Sequence, residues 1–175
     1  MNYLITGVVG SGKSSARRLL EKMGYKGIEL DNKELSGWIH KKTGAVGKYK
    51  HGTNKEWLEN YSWIVDKNKL AQALCTEKNI DVFVSGIPSN TIDILDLFDT
   101  TFLLQISTNT IHTRLAERLE VGSFGKSMDE IADIMRWKDN FVETMLKHGA
   151  ISINAENSLD KVVEEILLKS LIKRS

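Results

Sequence analysis

Tyr3-Leu4-Ile5-Thr6-Gly7-Val8-Val9-Gly10-Ser11-Gly12-Lys13-Ser14-Ser15-Ala16 is the stretch on which the reading of this chain turns. Its apolar start, Tyr3-Leu4-Ile5, has the look of a short strand. Ala16, Leu19, Leu20 and Met23 then recur at the spacing of a helix that buries one face. Between them, residues 7–14 fit Gly-x-x-x-x-Gly-Lys-Ser. A glycine-rich turn joining strand to helix aims successive N–H groups and the positive end of the helix at one anion. Gly7 and Gly12 permit backbone angles that a Cβ resists, and Gly10 leaves room for phosphates to approach. Gly7, Val8, Val9, Gly10, Ser11, Gly12, Lys13, Ser14 and Ser15 are therefore the candidate cradle for ATP. In that register Lys13 reaches the β- and γ-phosphates, and the Ser14 hydroxyl is a ligand for Mg²⁺. Arg17 and Arg18 are read as surface or sheet-edge charges.

Working outward, strand-like and helix-like segments alternate. Gly24 caps the first helix, and Gly27-Ile28-Glu29-Leu30 is a second strand closing on Asp31. Further strands are expected at 81–84, 101–106 and 150–153. Helices with Ile94, with Ile111 and Leu115, and with Val162 and Ile166 fall between and after them. Ser127-Met128-Asp129-Glu130 has the form of a capping box opening a long helix that Gly149 stops. Residues 34–40 and 55–78 look helical and flank a loop at 41–53 that holds three glycines. The pattern predicts an α/β protein, a three-layer P-loop NTPase fold with a five-stranded parallel sheet and helices on both faces. Ligands would gather beyond the carboxyl ends of the strands. The expected organisation is a single domain, 1–175, with an inserted subregion at about 32–78.

Composition narrows the class. The 175 residues are 41% hydrophobic and 27% charged, ordinary values for a globular protein. No apolar run approaches the ~20 residues of a membrane span, and the N-terminus leads directly into a strand, so neither membrane insertion nor secretion is expected. The single Cys75 suits a reducing, cytoplasmic setting and is read as a buried structural thiol. A net charge of +1 gives no protein-wide field for nucleic acid. The four histidines show no paired metal-ligand spacing, and no Gly-x-Ser-x-Gly elbow is present.

The loop at 7–14, the acid Asp31, the Gly-x-Pro turn at 86–88 and the arginines Arg114 and Arg118 resemble the small nucleoside-monophosphate-kinase-like P-loop kinases, which include adenylate, shikimate and gluconate kinases. The resemblance implies ATP- and Mg²⁺-dependent phosphoryl transfer to a small-molecule acceptor. It assigns Arg114 to the adenine ring, and Arg118 and Arg136 to the transferring phosphate. Asp31 would be the acid near the acceptor, as a base or as a holder of metal-bound water beside Ser14. A short lid would occupy about 119–127, with Gly122 and Gly125 as hinges.

Plainer readings stand beside these. Asp31 also begins a helix-start pattern as an N-cap, the segment at 121–126 also reads as a surface loop, and Arg114 and Arg118 share a helix face directed away from the core. The chain departs from the family at Ser85-Gly86-Ile87-Pro88-Ser89, where adenylate kinases commonly carry an acid and an arginine, so their acceptor does not carry over. Lys41, Lys42, Lys48, Lys50 and Lys55, with no acid in 41–54, suggest either an anionic acceptor or a solvated loop. The expected acceptor is a nucleoside, a nucleotide or another small anionic metabolite. Neither nucleic acid nor membrane is an expected partner, and a monomer or homodimer is. The competing reading is a nucleotide-dependent binding or regulatory ATPase, although no Asn-Lys-x-Asp guanine motif is present.

Overall fold

β1 (Asn2–Thr6) lies at the centre of the fold, and its Tyr3, Leu4 and Ile5 expose no surface. A strand buried on both faces needs apolar residues at consecutive positions, which is what the sequence supplies. The computed structural model describes residues 1–49, 55–75, 80–117 and 128–172. The expected lid and Arg118 fall outside these, as do Lys50 and His51.

After β1 come α1 (Lys13–Lys22) and β2 (Lys26–Glu29), then β3 (Ser36–His40), β4 (Val46–Gly47), α2 (Lys55–Asn60), β5 (Tyr61–Val65) and α3 (Lys67–Cys75). β6 (Val82–Ser85), a 3-10 turn at Thr91–Leu97, β7 (Thr100–Gln105), α4 (Thr108–Glu117), α5 (Met128–Lys147), β8 (Ile151–Asn154) and α6 (Leu159–Ile172) complete the chain. The main sheet has five parallel strands in the order β2-β6-β1-β7-β8. The direction of winding reverses at β1, so the crevice beyond its carboxyl end is the natural ligand position.

Alternation along β1 divides the core. Tyr3 and Ile5 face α1, α4 and α6, joining Ala16, Leu20, Ile111, Leu115, Val163 and Ile166. Tyr3 stacks between Phe83 and Phe102 of the neighbouring strands, with ring centroids 4.8 and 6.0 Å apart. Leu4 faces the other way, toward Leu70 and Leu74 of α3 and Ile94 of the 3-10 turn. Helices thus cover both faces, as expected. Among the described residues no helix is long and apolar enough to cross a membrane.

The inserted region differs from expectation. Residues 36–40 and 61–65, read as parts of helices, are β3 and β5, the centre and one edge of a separate antiparallel sheet ordered β4-β3-β5. Cross-strand pairing overrides the local pattern: Trp38 opposes Trp63 and His40 opposes Tyr61, putting four rings on one face. Trp57 of α2 stacks on Tyr61 at 4.3 Å, and Tyr49 on Trp38 at 5.6 Å. These half-buried aromatics pack on one another, apart from the main core. Cys75, at the end of α3, is exposed rather than buried.

Candidate active site

The loop after β1 turns through three glycines with positive φ: Gly7 at 149°, Gly10 at 85° and Gly12 at 93°. A Cβ on Gly7 would lie 2.6 Å from the Leu104 carbonyl oxygen and 2.7 Å from Ser11 Oγ, so both conformation and space demand glycine. α1 then begins with no side-chain cap at Gly12 and no acid in its first turn. Its leading N–H groups have no intrahelical acceptor and its dipole is uncompensated, the condition that favours a bound anion. Lys13 is only 8% exposed and arches back over the loop, its Nζ 3.4 Å from the Val8 carbonyl. Val8 and Ser11 are buried in the loop and Ser15 is exposed on α1.

Beneath the loop lies a polar network whose acid the sequence reading did not single out. Glu29 closes β2 directly opposite Ser85 of β6. Its Oε1 accepts from Ser14 Oγ at 3.5 Å and from Ser85 Oγ at 3.2 Å, and its Oε2 accepts from Arg17 Nη2 at 3.0 Å. Arg17 also donates from Nε to Ser85 Oγ at 3.1 Å and pairs through Nη1 with Glu21 at 2.6 Å. Its side chain is 11% exposed, so of the two expectations for it, surface or sheet-edge charge, the structure has the second, with Arg17 paired to Glu29 of the edge strand β2. The signal available in the sequence was an acid within an otherwise apolar strand, Gly27-Ile28-Glu29-Leu30.

Asp31 stands two residues beyond Glu29, past the buried Leu30, and is exposed. The alternative reading of Asp31 as a helix cap fails, because no helix follows. Asn32 instead organises a turn, its Oδ1 accepting the Glu34 N–H, before the chain enters β3.

Arg114 does not face away from the core with its helix surface. Its Nη1 donates to the carbonyls of Gly10 at 3.2 Å and Ser11 at 3.5 Å, and Nη2 donates to Ala155 at 2.9 Å. It therefore ties α4 to the phosphate loop and to the turn after β8. The same turn supplies Glu156, which accepts the Ser107 N–H at 2.6 Å and the Thr110 hydroxyl at 2.7 Å at the start of α4. The Ser107 N–H chiefly, then the Thr110 hydroxyl, and lastly the Arg114 charge hold its carboxyl below the ordinary 4.5.

Arg136 pairs with Asp133 at 2.8 Å on α5 and lines a cleft of about 560 Å³ together with Lys41, Glu59 and Trp137. The cleft separates α5 from the insert and includes no residue of the phosphate loop. The insert is fastened to the core by Asn90, whose carboxamide pairs with both the N–H and the carbonyl of Val65 at 3.0 Å.

No protein-family profile matches the sequence, and no curated protein is a detectable relative. Solved structures do match over the whole chain. Shikimate kinase from Bacteroides thetaiotaomicron is 15% identical, with a TM-score of 0.60 over 99% of this chain and 98% of its own. Gluconokinase from Sinorhizobium meliloti 1021 is 18% identical, with a TM-score of 0.56 over 99% and 97%. Deoxyadenosine kinase from M. mycoides, solved with dATP bound, is 15% identical, with a TM-score of 0.53 over 97% and 98%. The chain has the three-layer P-loop NTPase fold that these small-molecule kinases share.

Proposed function

We propose that the chain transfers the γ-phosphoryl group of ATP to a hydroxyl of a small acceptor. The observation that carries this reading is the uncapped start of α1, with buried Lys13 on one side and Ser14 beside a carboxylate on the other. The phosphates would lie against the loop N–H groups, with the Lys13 ammonium at the β- and γ-phosphates. The acceptor oxygen bonds to the γ-phosphorus as the bond to the β–γ bridging oxygen breaks. Such a reaction depends mainly on alignment and charge neutralisation, which this loop is built to provide.

The donor set fits Mg²⁺. Ser14 Oγ and Glu29 Oε1 are hard oxygens 3.5 Å apart, and among the described residues there is no cluster of three His, Cys, Asp or Glu that would form an all-protein cage. Mg²⁺ characteristically takes one or two protein oxygens and completes its shell with water and phosphate. Ser14 would hold it directly and Glu29 would hold its water; when bound, the ion neutralises phosphate charge. Asp31 is proposed on the acceptor side, where an exposed carboxylate can receive the hydroxyl proton. Arg114, held in place by its Nη1 and Nη2 bonds to carbonyls, would offer its flat face to adenine. Arg118 and Arg136 are proposed for the transferring phosphate, brought in from the lid side.

The acceptor would enter between the insert and α5, where Lys41, Glu59, Asp133 and Arg136 give a charge-balanced polar lining beside Trp137. The fold's occurrence in deoxyadenosine, shikimate and gluconate kinases supports a small hydroxyl-bearing acceptor. The test is an acceptor panel with radiolabelled ATP and Mg²⁺. A labelled acceptor is the expected product, and nucleotide binding without transfer to any acceptor would sink the assignment in favour of a regulatory ATPase.

A further inference from the structure

We propose that Arg17 is a positioning residue for the metal: it locks the Glu29 carboxylate so that Oε2 is held by Arg17 itself and Oε1, steadied by Ser85, faces Ser14. The proposal rests on the reading of Ser14 as the metal-side hydroxyl, and goes beyond it by assigning a role to a residue outside the motif at 7–14.

The geometry is a closed ring. Arg17 Nη2 holds Glu29 Oε2, Arg17 Nε holds Ser85 Oγ, and Ser85 Oγ donates to Glu29 Oε1. A carboxylate gripped at both oxygens from one side cannot rotate about its last torsion without breaking two of these bonds. Oε1 is left with its remaining lone pair toward Ser14, the one member of the set on the phosphate loop. Glu21 fixes the third nitrogen, Nη1, so the guanidinium is itself anchored. Gly27 allows that anchor, because a Cβ there would overlap the Glu21 carboxylate lying across β2. Only a planar fork with several donors can serve two acids and a hydroxyl at once, so lysine is not an equivalent. The register pairing of Glu29 with Ser85 makes the arrangement possible: a serine at 85 leaves room for the acid of the adjacent strand and gives it a donor.

The guanidinium also has an opposing effect, since a positive charge beside Glu29 repels a divalent ion. Arg17 lies on Oε2, however, the oxygen turned away from Ser14, so orientation is expected to outweigh repulsion. Partners that orient a metal-holding group typically change affinity by about 10- to 100-fold.

The experiment uses the full chain with a non-hydrolysable ATP analogue and Mn²⁺, whose binding is read by electron paramagnetic resonance. Analogue binding in EDTA is measured separately. Arg17→Met is expected to weaken Mn²⁺ about tenfold while leaving metal-free analogue binding within about twofold. Arg17→Lys should be weakened to an intermediate degree, and it serves as the reporter if Arg17→Met does not fold. Glu29→Gln should weaken Mn²⁺ similarly, and the Arg17→Met/Glu29→Gln pair should be no worse than Glu29→Gln alone. Unchanged or tighter Mn²⁺ binding in both Arg17 variants overturns the proposal, as do fully additive effects. If the wild-type chain binds the analogue but no Mn²⁺, the metal assignment falls and this proposal with it. Failure to bind the analogue both with Mn²⁺ and in EDTA would instead remove the phosphate-loop reading itself.

Discussion

Arg114 donates to the carbonyl of Gly10 across a gap of 3.2 Å, joining α4 to the apex of the phosphate loop. With Ser11 and Ala155 also accepting, one side chain satisfies three carbonyls from two separate turns. Arg114→Ala should therefore lower stability by about 1–3 kcal/mol, the usual effect of removing a charged donor from partly buried acceptors. It should also weaken ATP binding. Urea unfolding and calorimetric titration read the two effects separately, and a loss of neither would show that the contacts are incidental.

Gly7 and Gly24 both have positive φ but differ in surroundings. Gly24→Ala meets nothing within 4 Å, so only conformational strain is expected, about 1 kcal/mol. Gly7→Ala adds overlap with the Leu104 carbonyl and Ser11, raising the expected loss to about 3 kcal/mol and distorting the cradle. Equal destabilisation in denaturant titrations would contradict this account.

Lys13→Ala removes the ammonium that lies over the loop beside the Val8 carbonyl. Turnover should fall by at least about 100-fold, the scale seen when a charge-stabilising donor is lost, with stability changed by no more than about 1 kcal/mol. Steady-state rates and a melting curve on the same sample check both halves.

Glu156 gives a pH-dependent term of known sign. Its folded-state carboxyl titrates below 4.5, so between that ordinary value and the lowered one the unfolded chain binds more protons. Its stabilising contribution is complete above about 4.5 and is lost as pH falls through the folded value. Glu156→Gln should flatten that part of the stability profile. A profile identical to wild type below pH 5 would show that the interaction with Ser107 does not persist in solution.

Arg118→Ala, at a position proposed for the transferring phosphate, should lower kcat more than it weakens ATP binding. A pure loss of ATP affinity would move the residue to a binding role.

The five parallel strands and the phosphate loop were legible because each depends on local information: consecutive apolar residues for buried strands, and glycines at fixed spacing before a helix. The insert was not, because β3 and β5 are matched by ring pairs distant in sequence, Trp38 with Trp63 and His40 with Tyr61. The same reason hid the network around Glu29. Asp31 has the conspicuous position after the strand, but the register that puts Glu29 opposite Ser85 and near Ser14 exists only once β2, β6 and α1 have met. Arg17 follows from Glu29, and could not be distinguished from Arg18 by sequence pattern alone.

The insert leaves and rejoins the core at neighbouring points. Ser36 and Val65 are directly paired at the base of its sheet, and the Asp66 N–H bonds to the Leu35 carbonyl at 2.8 Å. Paired residues on antiparallel strands are only about 5 Å apart, a gap that a two-residue hairpin turn spans. To the parallel sheet, the aromatic subregion is thus equivalent to a single tight turn. The phosphate loop, Glu29 and Arg17 all lie outside that turn, in the parallel-sheet portion of the chain.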